Sequence, residues 1–293
     1  MFYLAFEASV LAAFGAMFCW GLGDFFIQKC SRKIGSLAAL AWIGLIGAVG
    51  LLPFIAGELP LLYSPANLLV LLVLGGITFV AAVLDFEALR QGKLSVIEMI
   101  FELELPVTVA LGVLFFGERL SPAQLLLIGV VFAGLVLVSM ASFSASHFRQ
   151  RIEKGALLGV AAAVAMAFVN FFTAQSSKQV SPLMAIWVPW LVIGFASLAY
   201  ILAKESNLTK FWKSGLANKR DVLAMGVFDT LAWLFFALAL SSAYLSVTTA
   251  ISESYVAIAM ALGFWVNKEK IASHQKIGAA AALLASFALG LLA

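Results

Sequence analysis

The chain reads as long apolar runs separated by short polar breaks. A helix needs about 20 mostly apolar residues to cross a bilayer. Ten such runs fall at about 8–28, 36–56, 66–89, 94–116, 122–142, 154–175, 182–203, 221–242, 245–266 and 274–292. The breaks are short and polar, or hold Gly, Pro or Ser, the residues that end helices. No series of ten-residue segments with alternating polarity occurs, which argues against an outer-membrane β-barrel. The first run is longer than a cleavable signal, lacks a basic start and continues into Lys29, Arg32 and Lys33. The pattern predicts an all-α integral membrane protein with ten transmembrane helices.

Composition agrees. Of 293 residues, 63% are hydrophobic and 11% charged, with a mean hydropathy of +1.07. A soluble domain carries roughly 25% charged residues. Nucleic-acid-binding, disordered, coiled-coil and disulfide-scaffold classes are excluded together. Cys19 and Cys30 alone cannot make a disulfide framework.

The position of the charges matters more than their net sum of +3. The connections after runs 1, 3, 5, 7 and 9 hold 16 of the 18 Lys and Arg, and the opposite side holds only Arg119 and Lys178. The positive-inside rule then places the basic loops in the cytoplasm and both termini outside, in a cell (plasma or inner) membrane. The longest connection, about 203–220, carries Lys204, Lys210, Phe211, Trp212, Lys213, Lys219 and Arg220. It reads as an interfacial segment with aromatics at headgroup depth.

The sequence also repeats itself. Ala88-Leu89, Leu94-Ser95-Val96, Ile100, Glu102, Ala110-Leu111-Gly112, Glu118 and Gln124 recur 151 residues later, at 12 of 37 positions. Apolar bias can supply the Ala and Leu matches, but it does not readily supply two Glu and a Gln in register. Asp24-Phe25-Phe26 similarly falls on Asn170-Phe171-Phe172 at an offset of 146. The expected division is 1–146 and 147–293, five helices each. Five is odd, so the second half enters the membrane from the other side, which makes the two halves inverted repeats. That architecture suits a carrier that alternates between two mirror-related open states.

The ten-run layout resembles the EamA-type transporters of the drug/metabolite transporter superfamily. The resemblance rests on Phe18-Cys19-Trp20-Gly21, on Glu102-Leu103-Glu104-Leu105-Pro106, on Gly117-Glu118-Arg119-Leu120-Ser121, and on Gln124 with Gly129. It covers nearly the whole chain. It implies a secondary carrier that exports or exchanges amino acids, other metabolites, drugs or nucleotide sugars, and it does not name the solute. One departure is the start: many members begin with a basic N-terminus, whereas Met1–Ala8 has no Lys or Arg.

Acidic residues within the apolar runs are the candidate chemistry. Asp24, Asp85, Glu87, Glu98, Glu102, Glu104, Asp229 and Glu253 lie there with almost no basic residue to pair with. A charge at mid-bilayer costs about 2.5–3.5 kcal/mol on insertion scales. Eight unrelieved charges would cost roughly 20–30 kcal/mol, more than a usual stability of about 5–15 kcal/mol. Most must therefore face water, carry a proton or bind a cation, and a wet acidic cavity between the halves meets all three conditions. Glu102 and Glu253 each lie about 12 Å into their runs from opposite sides, near the midplane. Glu98 shares a helical face with Glu102, and Thr249 shares one with Glu253; Glu104 sits about 160° from Glu102 and is expected to point elsewhere. Pro106 cannot donate to the Glu102 carbonyl, which leaves that oxygen beside a carboxylate at a kink. Pro189 similarly interrupts Trp187-Val188-Pro189-Trp190, where the aromatics either line the cavity or face lipid. Asp24, its counterpart Asn170, and Asp229 complete the candidate set. Asp85, Glu87 and Glu98 also fit interfacial pairing near Arg90 and Lys93.

The chain has no Walker P-loop, no His-Glu-x-x-His, no paired Cys and no Gly-x-Ser-x-Gly. His147 and His274 fall in loops. No metal site, catalytic residue or cofactor is expected. The sequence points to a secondary transporter, exporter or exchanger, that works by alternating access on cationic or zwitterionic solutes. A desolvated carboxylate can also load and release a proton. The expected partners are a small solute, protons and the bilayer, with no nucleic acid, in a monomer or homodimer. Two alternatives stand beside it. One is a membrane-embedded, Mg²⁺-dependent prenyl-transfer enzyme using Asp85-x-Glu87, although the equivalent stretch near Phe236 and Leu238 has no carboxylates. The other is a transport-dead sensor.

Overall fold

A computed structural model describes residues 2–91, 100–140, 154–205, 208–267 and 271–292. Among them there is no strand. The helices are α1 (Phe2–Ile34), α2 (Ser36–Ile55), α3 (Pro65–Gln91), α4 (Glu104–Phe116), α5 (Pro122–Ser139), α6 (Lys154–Gln179), α7 (Pro182–Glu205), α8 (Leu208–Ala217), α9 (Lys219–Leu240), α10 (Leu245–Glu253), α11 (Tyr255–Asn267) and α12 (Ser273–Leu292). A 3-10 turn, Leu59–Tyr63, links α2 to α3.

Among the described residues, eight helices are long and apolar enough to cross a membrane: α1 to α3, α5 to α7, α9 and α12. The two other expected spans, 94–116 and 245–266, differ from the reading of ten unbroken helices. Both are interrupted among the described residues, at 102–103 and at 254.

The chain packs as two compact units. One comprises Met1–Phe79 with Phe172–Ser242, the other Val80–Phe171 with Ala243–Ala293. Each unit therefore draws on both halves of the sequence. Packing units and sequence halves are different partitions of one chain.

In the first unit α1 lies against α9, α2 against α7, and α9 also touches α2 and α7. Small residues set these distances. A Cβ built on Gly44 would sit 2.5 Å from the Gly194 nitrogen and 2.7 Å from the Trp190 carbonyl oxygen, so only glycine lets α2 and α7 come this close. From Gly44 to Ala48 the contacts on α7 run backward, from Gly194 to Trp187, so α2 and α7 are antiparallel. Beyond them Ser181, at the N-cap position of α7, donates its hydroxyl to Glu58 and accepts from the Leu183 amide at 3.1 Å. α8 is anchored by Phe211, which stacks on Trp42 at 5.1 Å, and by Gly215, which leaves room for the Trp42 indole. Its Leu208, Trp212 and Leu216 stay exposed along one face, as the interfacial reading of this segment requires.

In the second unit α5 lies against α12, α10 against α4, and α11 against α5 and α12. Ser121 and Gln124 form a capping box at the start of α5: the Ser121 hydroxyl accepts from the Gln124 amide, and the Gln124 carboxamide accepts from the Ser121 amide at 2.9 Å. The equivalent of the second bond opens α12, where the Gln275 carboxamide accepts from the Ala272 amide at 3.0 Å. The two glutamines also reach across. Gln275 donates to the Val138 carbonyl near the end of α5 at 2.8 Å, while Gln124 donates to the Leu292 carbonyl at the end of α12 at 3.5 Å. Each helix begins where the other ends, so α5 and α12 are antiparallel.

Candidate functional site

The predicted site residues fall into two groups, one in each unit. The group in the second unit is built on helix breaks. Residues 100 and 101 are helical, Glu102 and Leu103 form a turn, and α4 restarts at Glu104. The Leu103 amide donates to the Ile100 carbonyl at 3.0 Å. In the other repeat α10 ends at Glu253, Ser254 turns, and α11 starts at Tyr255. There the Ser254 amide donates to the Ile251 carbonyl at 3.2 Å. Adding 151 to 100 and 103 gives 251 and 254, and adding it to Glu104–Phe116 gives Tyr255–Asn267. One structural feature is thus made twice, each time at the glutamate.

The two breaks have different causes. In the first, Pro106 has no amide for the Glu102 carbonyl, so the ladder fails there. In the second, Ala257 stands at the proline's position and gives its amide to the Ser254 carbonyl at 3.1 Å, one residue short of a helical bond. Serine hydroxyls take the helical carbonyls instead: Ser252 donates to Thr249 at 3.1 Å and Ser254 to Ala250 at 3.3 Å. Such back-bonding competes with the ladder. Ser254 also meets the Ser286 hydroxyl of α12 at 2.6 Å.

Glu104 follows the break at 102–103 and has a partner of its own, separate from that of Glu102. The Glu104 carboxylate accepts a 2.7 Å hydrogen bond from Asn170 of α6, whose amide nitrogen also lies 3.5 Å from the Thr108 hydroxyl. Glu102 is buried and accepts from the Ser139 hydroxyl at 2.8 Å. Glu253 is half-buried at the end of α10. One turn earlier Thr249 is fully buried, as is Thr248, and among the described residues neither hydroxyl has a hydrogen-bond partner. Leaving a buried hydroxyl unpaired costs about 1–3 kcal/mol, so such groups are expected where another molecule donates or accepts. Glu98 lies outside the described residues, as do the side chains of Arg90 and Lys93 expected beside Asp85 and Glu87.

The group in the first unit is acidic and aromatic. Asp229 of α9 is buried, and its backbone lies against Gly23 of α1, the neighbour of Asp24. Lys29 does not turn to Asp24; with Lys33 it holds Asp221, each at 2.9 Å. Trp187 and Trp190 do not face lipid. Both are buried, Trp187 donating to the Ala48 carbonyl at 2.9 Å and Trp190 to the Thr230 hydroxyl at 2.9 Å. Trp233 stands edge-on to Trp190 and to Trp20 at centroid distances of 6.1 and 5.1 Å. Asp229 thus shares α9 with an indole cluster one turn away.

Sequence reasoning missed Glu104, Thr248, Thr230 and, above all, Glu118. The Glu118 carboxylate is buried and accepts from the Leu245 amide, from the Ser246 amide at 3.0 Å and from the Ser246 hydroxyl at 2.5 Å. A signal for it was present, since Glu118 and the Leu-Ser-Val stretch recur together at the same offset. Among the described residues, no three His, Cys, Asp or Glu gather as metal ligands would.

Comparison with known proteins agrees with this picture. No curated protein matches the chain at a significant level. A crystal structure described only as that of a protein superposes with a TM-score of 0.76 at 19% identity, over 97% of either chain. At that identity the likeness speaks for the fold. The sequence signature of the EamA-like transporter family matches twice, over residues 8–140 and 153–291. This multi-pass, two-repeat membrane protein therefore belongs to the EamA-like transporter family.

Proposed function

We propose that the protein is a ten-span secondary carrier with inverted five-helix repeats, which moves a small cationic or zwitterionic solute by alternating access. One observation carries this reading: the equivalent helices of both repeats break at a glutamate, at Glu102 and at Glu253. Discontinuous helices in corresponding positions of two repeats are how carriers expose backbone and charge to a solute inside the membrane. The antiparallel pairs α2 with α7 and α5 with α12 support inversion, because each pairs the same ordinal helix of the two repeats. The unpaired hydroxyls of Thr248 and Thr249 and the acidic, aromatic surroundings of Asp229 suit an ammonium group, which a carboxylate attracts and an indole face accepts. In this reading Glu102 and Glu253 exchange the solute, or a proton, with water on alternate sides, and the basic connections lie in the cytoplasm.

The test has two steps. A thermal-shift screen of amines, amino acids and sugars on purified protein identifies a stabilising solute, and proteoliposomes then take up that solute in labelled form. Glu102→Gln combined with Glu253→Gln abolishes uptake and its response to pH. Unchanged uptake in the double variant rejects the assignment.

A further inference from the structure

We propose that Glu118 is a positioning residue: it ties the interrupted helix of one repeat to the interrupted helix of the other, so that the two breaks are held in register. The inference rests on the carrier reading for its purpose, and on geometry for its substance.

The chain of contacts is short. α4 runs from the Glu102 break to Phe116. Gly117 then turns the backbone with a φ of 66°, a left-handed conformation that favours glycine, and the Glu118 amide folds back to the Gly112 carbonyl at 3.3 Å. The carboxylate of Glu118 is thereby aimed at the first turn of α10, where it takes two backbone amides and the Ser246 hydroxyl. α10 is nine residues long and ends at Glu253. A single path of helix, carboxylate and helix joins one glutamate to the other.

Two features set this apart from ordinary capping. Residue 244, at the N-cap of α10, is a tyrosine that makes no capping bond, so the helix start relies on a side chain 127 residues away in sequence. The fit behind the carboxylate is also closed. A Cβ on Gly112 would stand 2.5 Å from a Glu118 carboxylate oxygen and 2.9 Å from the Ser246 hydroxyl. A negative group at a helix N-terminus also complements the helix dipole. A local Ser at position 244 would accept from the amide of Ser246 or Val247 and cap the helix without any link to α4, so the long-range arrangement supplies something that a local cap does not.

That difference gives the test. Three full-length variants are purified in detergent: Glu118→Ala, Tyr244→Ser, and the two combined. Each is compared with wild type for its melting temperature and for the rate at which dicyclohexylcarbodiimide modifies Glu253, read by mass spectrometry. Glu118→Ala lowers the melting temperature and raises the labelling rate by roughly fivefold or more, because the three hydrogen bonds that the carboxylate accepts are lost together. Tyr244→Ser alone changes neither, because position 244 is exposed, already has the extended backbone of an N-cap, and the neutral hydroxyl does not repel Glu118. In the combined variant the new cap restores the melting temperature, but labelling stays fast, because α10 is capped and no longer tethered. Recovery of wild-type labelling in the combined variant, or no change in labelling for Glu118→Ala, overturns the proposal and leaves Glu118 as a cap alone. Neither readout depends on transport, so a failure of the carrier reading would be seen separately in the uptake assay.

Discussion

Asn170 donates to Glu104 at 2.7 Å, and this contact turns a carboxylate within an apolar stretch into part of a built site. Asn170 falls on Asp24 when the two repeats are aligned, so one repeat offers an acid where the other offers an amide that holds an acid. An amide is the right choice here: it can donate to a carboxylate, whereas a second carboxylate would repel it.

Replacing Asn170 by Ala should therefore leave the half-buried Glu104 carboxylate without this donor. The expected loss is about 1–3 kcal/mol of stability, the cost of an unsatisfied buried polar group. Thermal unfolding of the purified variant measures it. Replacement by Asp should be worse, because it sets like charges together. Equal melting temperatures for wild type and both variants would show the bond to be dispensable.

The glycine pair that closes α2 onto α7 makes a contrasting prediction. Gly44→Ala forces backbone against backbone at Gly194, a clash that no rotamer relieves, and should cost about 1–3 kcal/mol or more. Gly50, six residues along the same helix, has nothing within 4 Å of a built Cβ. Gly50→Ala should be neutral or stabilising by roughly 0.5–1 kcal/mol, because alanine is the better helix former. Expression level and melting temperature of the two variants separate the cases.

Pro106 and Ser254 interrupt equivalent helices by different means, so their substitutions should diverge. Pro106→Ala returns an amide that can close on the Glu102 carbonyl and straighten the first break, with little cost in stability and a large loss of transport. Ser254→Ala removes the hydroxyl bond to Ser286 as well as the back-bond to Ala250, and should lower stability by about 0.5–1.5 kcal/mol for each net bond lost. Hydrogen exchange at the amides of residues 103 and 254, alongside uptake, checks both. Full uptake by Pro106→Ala would mean that the first break is not part of the mechanism.

Asp221 is held by Lys29 and Lys33, but all three side chains retain solvent contact, the lysines at 43% and the aspartate at 17%. Surface pairs of this kind contribute about 0–1 kcal/mol and weaken with salt. Asp221→Asn should lower the melting temperature slightly at low ionic strength and not at high ionic strength. A large, salt-independent drop would assign these residues a different role.

The sequence by itself determined the membrane class, the two repeats and the family, and it singled out Glu102 and Glu253, the residues at which the equivalent helices break. These are written locally: a run of apolar residues records which solvent a segment meets, and a recurring Glu at fixed offset records duplication. It could not tell which partner Glu104 takes, because a helical wheel gives a direction on one helix and not what packs there. It left open whether Trp187 and Trp190 face lipid, since hydrophobicity is the same on either side of a buried helix. Serine breaks in the second repeat were also illegible, because a hydroxyl bends a helix only where its carbonyl and neighbours allow it. Only the tertiary structure chose partners such as Asn170 for Glu104, 66 residues apart, and Leu245 for Glu118, 127 apart. Hydrogen bonds are directional and act over a few ångströms, so which donor reaches a buried carboxylate depends on where distant helices pack.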